Sequence, residues 1–226
     1  MTENNSFLKK WFWLIAALGM VIGFLLLSSE IQEARQGQTE MITKVDDQIR
    51  LDLIGIRTVA LDSIAVDVTA LGSVTVLSFL VGILCLLFLA TNRSPEALHL
   101  LAAGLGAGII TQTLKVFLRI PRPDALSRLV HVTGYSFPSG HTLSAASIYL
   151  TVAILIFRNL KSSIKRKAIG GAFAVLILAV SLSRLYLGVH NLSDVLGGIL
   201  IGTSWALILS QIPNLFHRLG KKIERI

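Results

Sequence analysis

Three short groups of polar residues stand out in an otherwise apolar chain. The first is Lys115, separated by six residues from Arg122-Pro123. The second is the run Ser136-Phe137-Pro138-Ser139-Gly140-His141. The third is Ser183-Arg184, then five residues, His190, three more, and Asp194. Lys115, Arg122 and Arg184 are cations in apolar surroundings, where an uncompensated charge is costly, so together they call for a multiply charged anion. An arginine grips two phosphate oxygens at once, whereas a lysine acts as a point charge. Ser139 and Gly140 open an apolar helical stretch, where free backbone N–H groups and the helix dipole favour a phosphate. Pro138 suits the start of that helix, and Gly140 lets backbone come close to a ligand.

Two imidazoles add reactivity. His190 and Asp194 are four apart and share a helical face. The carboxylate can accept one imidazole N–H and leave the other nitrogen's lone pair for phosphorus, the arrangement of an activated nucleophile. His141, beside the phosphate cradle, is placed to protonate the departing oxygen and then to activate water. A metal held by His141, His190 and Asp194 is disfavoured by the three neighbouring cations, so no metal or cofactor is expected. His99 and His217 read as structural, and His131, though nearer the cluster, takes no role in this scheme.

These residues must be positioned by membrane elements. The 226-residue chain is 53% hydrophobic and 15% charged, with a mean hydropathy of +0.71. That charge content is well below the quarter usual in soluble domains. It excludes a soluble globular enzyme, a disordered tail and a secreted disulfide scaffold; the single Cys85 has no internal partner and reads as a small buried hydrophobe. The net charge of +8 gathers at the ends of apolar runs, which points to membrane orientation and anionic lipid rather than to nucleic acid.

Six runs approach the roughly 20 residues that cross a bilayer: Trp11 to Leu27, Val74 to Ala90, Ala97 to Leu118, Ser139 to Phe157, Ala168 to Leu187 and Leu192 to Ile212. The first reads as an uncleaved span rather than a signal peptide, because no small-x-small site follows Leu27. The basic groups at Lys9 and Lys10, at Arg93, from Arg158 to Lys167 and from Arg218 to Arg225 place both termini in the cytoplasm. All three polar groups then fall at the outer ends of spans three to six, although the charge count did not require it.

The segment 28–73 is the one long extramembrane stretch. Within it, Val45, Ile49, Leu53 and Ile56 recur at helical spacing, as in a helix lying in the membrane interface or a solvated linker helix. Gly104 with Gly108, and Gly198 with Gly202, have the spacing that lets membrane helices pack closely.

In order and spacing, the three groups resemble the three-part signature of the type 2 phosphatidic-acid phosphatase superfamily. Lys115, Arg122 and Pro123; Pro138, Ser139, Gly140 and His141; and Ser183, Arg184, His190 and Asp194 leave no member missing. The resemblance implies an all-α, polytopic six-span bundle with a chloroperoxidase-like helical core, a single membrane domain over residues 1–226 whose signature spans 115–194. It also implies a metal-independent phosphohydrolase in which His190 is the nucleophile, Asp194 its partner and His141 the acid. Lys115, Arg122, Ser139, Gly140 and Arg184 would bind phosphate. The six-span plan looks like the bacterial integral-membrane branch, whose site faces the periplasm or cell exterior; the soluble, longer haloperoxidases fit poorly. Substrates in that branch are phosphatidylglycerophosphate, phosphatidic acid and undecaprenyl diphosphate. Transfer of the phosphoryl group to a lipid alcohol would need the same site. A transporter or scaffold that binds phospholipid without cleaving it is the competing class, but the span centres here are uncharged. Oligomeric state is not encoded in these features.

Overall fold

The computed structural model describes residues 2–223, with side chains from 11 to 221; the side chains of Lys9, Lys10 and Lys222, and all of Arg225, lie outside the described residues. Among the described residues the chain is helical, with nine α-helices and no strand. They are α1 (Thr2–Arg35), α2 (Met41–Gly55), α3 (Val59–Ala70), α4 (Val74–Ala90), α5 (Ser94–Leu118), α6 (Gly140–Asn159), α7 (Ser163–Tyr186), α8 (Leu192–Ser210) and α9 (Pro213–Ile223).

Five of these helices, α1, α5, α6, α7 and α8, are long and apolar enough to cross a membrane. The expected sixth span differs from its sequence reading. Val74–Ala90 alone is 17 residues long and is long and apolar enough to cross only together with α3, from which it bends by 42°, the shape of a broken span or a re-entrant loop. The break is local: Ala70 ends α3, and the Ser73 hydroxyl accepts the Val76 N–H at 3.2 Å to start α4. Capping by a serine hydroxyl favours a fresh helix start over a continuous one.

The bundle is organised around α6 and α8. In each, 56% of the apolar stretch is buried, against 17% for α1 and 22% for α5, whose outer faces present Phe12, Ile15, Leu105 and Ile109 to lipid. Because lipid is as apolar as leucine, close packing and interhelical hydrogen bonds hold such helices together. Gly202 lets α8 lie against α6: a Cβ there would come within 2.9 Å of the Ala146 Cβ and closer still to the Leu143 carbonyl. Gly198 faces Ser139 and Thr142 in the same seam, so the pair packs as its spacing predicts. The Gly104/Gly108 pair divides. Gly104 lies against Val81 and Ile148, whereas a Cβ at Gly108 would meet nothing within 4 Å, so this glycine opens space instead. Polar ties join the helices: Ser147 Oγ donates to Ala103 O (3.1 Å), Ser204 Oγ to Ala17 O (3.2 Å) and Trp205 Nε1 to Ala102 O (3.2 Å). Cys85 packs at the edge of the core formed by Leu77, Leu100, Ile148 and Val180. His99 is fully buried and stacks on Phe216 of α9 at 4.8 Å, a packing role.

Gly202→Leu is expected to force α6 and α8 apart. Overpacking of this kind costs about 1–3 kcal/mol, and it should appear as a lowered Tm in detergent together with a loss of activity.

The segment 28–73 is largely helical. Helix α1 runs on to Arg35, and α2 and α3 then fold back on the ends of α7 and α8. The face of α2 turned to the body carries Ile42, Asp46 and Leu53, while Val45 and Ile56 are exposed, so the apolar face predicted from spacing is split.

Candidate active site

The helix ends place the polar groups. Lys115 sits in the last turn of α5, which stops at Arg119 in a left-handed conformation (φ 50°) and releases the loop carrying Arg122. Gly140 and His141 form the first turn of α6, Arg184 the last turn of α7, and Asp194 the first turn of α8. His190 lies in the α7–α8 turn, which bends at Gly188 (φ 70°). A side chain at Gly188 would collide with the Ser127 carbonyl and with Arg57 Nη2 at 2.9 Å.

Lys115, Arg122, Gly140, His141, Arg184 and His190 line one cavity of about 590 Å³. Of the eight residues singled out by sequence, Asp194 and Ser139 stand behind its wall. Asp194 is 1% exposed. Its Oδ2 accepts the Asn191 N–H (2.9 Å), the Ser136 hydroxyl (2.5 Å) and the His190 ring at Nδ1 (3.2 Å). On the opposite side of the imidazole, Arg122 Nη1 lies 3.2 Å from Nε2. A guanidinium only donates, so Nε2 carries the lone pair and the proton resides on Nδ1, toward Asp194. Burial, followed by the charges of Arg184, Arg122 and Lys115, holds the His190 pKa well below its ordinary value, so the ring is neutral.

Ser139 occupies a different place from the one its sequence position suggests. Its N–H is bound to the Asp194 carbonyl (2.9 Å), its hydroxyl accepts from Thr142 (3.1 Å), and it is fully buried. A helix start buried against a neighbouring helix must satisfy its own donors internally. Gly140 and His141, the next two residues, are the ones that reach the cavity.

The cations are held mainly by backbone oxygens and hydroxyls. Lys115 Nζ donates to Tyr135 O (2.7 Å). Arg122 donates to Gly134 O (3.1 Å), Thr133 O (3.2 Å) and Val189 O (3.0 Å). Arg184, 3% exposed, donates through Nη1 to Thr69 Oγ1 (2.7 Å), and its Nε is buried without a partner. Three cations around one cavity put positive charge and N–H donors where an anion would be favoured.

Sequence reasoning missed several participants. His131 lines the cavity mouth. Ser136 was noted only as part of a motif. The α2–α3 segment braces the site through three contacts: Thr69 on Arg184, Arg57 Nη2 on the Tyr186 carbonyl (2.9 Å), and Asp46 on Ser193. Each is a contact across more than 100 residues, for which local spacing carries no signal.

A bundle of membrane-length helices closed over a cationic cavity that holds a carboxylate-oriented imidazole is the build of an integral-membrane phosphatase. The chain belongs to the PAP2 superfamily, whose family model matches residues 96–218. It is 31% identical to phosphatidylglycerophosphatase B of Bacillus subtilis (strain 168) over 209 residues, 91% of this chain and 98% of that protein. It is 26% identical to the undecaprenyl-diphosphatase BcrC of the same organism, over 74% of this chain and 82% of that one. Among solved structures it resembles a transmembrane PAP2-type phosphatidylglycerolphosphate phosphatase from Bacillus subtilis, with a TM-score of 0.77, 27% identity and coverage of 93% and 98%. It also resembles Aquifex aeolicus LpxE, with a TM-score of 0.55, 29% identity and coverage of 72% and 92%. The protein is therefore a PAP2 phosphatase of the membrane.

Proposed function

We propose that this phosphatase hydrolyses the terminal phosphate of a membrane lipid phosphate or diphosphate, with phosphatidylglycerophosphate, phosphatidic acid and undecaprenyl diphosphate as candidate substrates, through a phosphohistidine. The observation that carries this reading is that the polar cavity adjoins an apolar groove. A groove of about 510 Å³ between α4 and α5, lined by Leu77, Val81, Leu101 and Leu105, shares Val74, Gly108 and Ser144 with the catalytic cavity. A headgroup in the cavity can thus keep its chain among lipid-facing side chains, which a soluble sugar phosphate has no use for.

In this mechanism Lys115, Arg122 and Arg184 bind the phosphate oxygens, and the N–H groups of Gly140 and His141 add the α6 dipole. Ser139 contributes by shaping that turn. As the phosphate enters, Arg122 exchanges the His190 lone pair for a phosphate oxygen. Nε2 of His190 attacks phosphorus, the bond to the leaving oxygen breaks, and His141 gives that oxygen its proton. Asp194 stabilises the imidazolium. Water then loses a proton to His141 and attacks phosphorus, the P–N bond breaks, and inorganic phosphate leaves. The three cations neutralise charge without a metal ion. A lipid alcohol in place of water would make the same site a phosphotransferase.

His141→Ala is expected to slow the first step by about 10²–10⁴, the usual range for general acid catalysis. The loss should be largest for lipids with poor leaving groups and smallest for diphosphates, as measured by single-turnover rates across the series.

The cavity opens at the ends of α5, α6, α7 and α8 that face away from the basic Arg158–Lys167 stretch. The positive-inside rule puts that stretch and both termini in the cytoplasm and the site at the outer face of a bacterial cell membrane. In a Cys85→Ser background, Arg128→Cys should react with an impermeant thiol reagent on intact cells and Lys165→Cys should not; the reverse pattern overturns the orientation.

The decisive assay offers the purified protein, in detergent with EDTA, the three lipid phosphates and a sugar phosphate. Phosphate release from at least one lipid, undiminished by chelation, is expected. Absence of turnover on every lipid would favour a lipid-binding transporter or scaffold, and activity restored only by magnesium would overturn the metal-free mechanism.

A further inference from the structure

Helix α8 carries Asp194 in its first turn, where its Oδ2 accepts the Asn191 N–H at 2.9 Å, and the helix start is secured from outside as well. The side-chain oxygen of Asn191, just before the helix, is buried without a partner. The second helical residue, Ser193, is instead held by Asp46 of α2: Asp46 Oδ1 accepts the Ser193 N–H at 3.0 Å and Oδ2 accepts its hydroxyl at 2.6 Å. This is the N–H that a capping side chain ordinarily takes, supplied here by a residue 147 positions away. Asp46 is 7% exposed. Burying a carboxylate there is costly, and two short hydrogen bonds and the positive end of α8 offset the cost.

The residue also borders the reactive pair from behind. A separate cavity of about 290 Å³ is lined by Asp46 and Asp47 of α2, Arg35 of α1, Arg122 of the α5–α6 loop and Asp194 of α8. Arg122 and Asp194, the two groups on either side of the His190 ring, therefore border the same cavity as Asp46.

We propose that Asp46 is a positioning residue for the phosphatase reaction: by capping α8 from a separate helix it fixes the turn in which Asp194 orients His190. The inference rests on the assignment of His190 and Asp194 given above. Ser193 and Asp194 are neighbours in one helical turn, so a displacement at the cap is transmitted to the His190–Asp194 hydrogen bond within a few ångströms. Substrate contacts made by Lys115 and Arg184 are on other helices and are spared.

Asp46→Asn keeps an oxygen for the Ser193 N–H, and the Ser193 hydroxyl can turn to accept from the new amide, so the variant should fold. Misplacement of a reacting group by about 1 Å costs on the order of a hundredfold, and a partial shift should lower kcat ten- to a hundredfold, with KM within twofold. The pH dependence separates this from a bland packing role. Burial, with help from Asp194 and Asp47, raises the Asp46 pKa above the usual carboxylate value. The wild type thus loses the carboxylate as pH falls through that raised pKa, while Asp46→Asn lacks it at every pH. The ratio of wild-type to variant kcat should be largest at neutral pH and shrink toward one in acid.

The experiment measures kcat, KM, Tm and the pH profile of the full-length protein in detergent for wild type, Asp46→Asn and His190→Ala. A kcat-specific loss that narrows in acid supports the proposal. Wild-type kcat in Asp46→Asn with an inactive His190→Ala overturns it while sparing the site assignment, as does a loss that follows the fall in Tm and is flat with pH. Activity in His190→Ala overturns the site assignment and the proposal together.

Discussion

His190→Ala should abolish turnover, with kcat reduced by at least about 10³, and should leave Tm close to that of the wild type. The expectation follows from where the ring sits. Its Nδ1 proton faces Asp194 Oδ2 at 3.2 Å, its Nε2 lone pair meets Arg122 Nη1 at 3.2 Å, and the ring borders the cavity that Lys115, Arg122 and Arg184 also line. In the proposed mechanism, removing the ring removes the atom that bonds to phosphorus, and among the described residues no second imidazole is comparably braced. The wild type should yield an acid-labile, base-stable phosphoenzyme on rapid quenching, and His190→Ala should yield none.

The same assignment predicts the acid limb of kcat/KM. An ordinary imidazole is half protonated near pH 6.5, and protonation would remove the lone pair. Because burial and the Arg184, Arg122 and Lys115 charges depress the His190 pKa, the reactive neutral form persists as pH falls through 6.5. The limb attributable to this group should therefore lie below the usual histidine range. A limb at or above pH 6.5 that disappeared in His190→Ala would contradict the burial argument.

Asp194→Asn should lower kcat by up to about 10⁴, the loss that the same carboxylate-to-amide change causes in a Ser-His-Asp triad. The shape is kept, but the charge is not. The buried Asp194 Oδ2 accepts from Asn191, Ser136 and His190 together, a load suited to an anion. An amide oriented to serve the backbone and Ser136 no longer stabilises the imidazolium that forms as Nε2 attacks. If its NH₂ turns toward Nδ1, the ring takes the other tautomer and its lone pair faces away from phosphorus. KM should change far less than kcat. The comparison with Asp194→Ala, which leaves the Ser136 hydroxyl without its carboxylate, separates loss of charge from loss of the bond.

Most of the site was legible because its chemistry is local. Lys115, Arg122, His141, Arg184 and His190 are charged or titratable residues at the ends of apolar runs, and such residues are too costly there without a function. The i, i+4 spacing of His190 and Asp194 does mark the pair, but not on one helical face: His190 stands in the turn two residues before α8, and the bend of that turn brings its ring to Asp194 at 3.2 Å. Ser139 illustrates the limit of that reasoning. Its position at a helix start made it a candidate phosphate donor, yet its N–H is bound to the Asp194 carbonyl, a partner that only the approach of α8 supplies. His131 shows the converse, a residue that no spacing favoured brought to the cavity wall by a loop.

By itself the amino-acid order determined the membrane character, the helical class, the extent of most spans and which polar groups gather at the cavity, because hydropathy, helical periodicity and the expense of charge in lipid act over a few turns of chain. Tertiary structure alone decided that α3 and α4 are joined by a bend, that Asp46 and Thr69 brace α8 and Arg184, and that the polar cavity adjoins an apolar groove. Those features depend on contacts between residues far apart in sequence, where close packing at Gly202 and burial at the helix ends select one arrangement from many compatible with the same hydropathy.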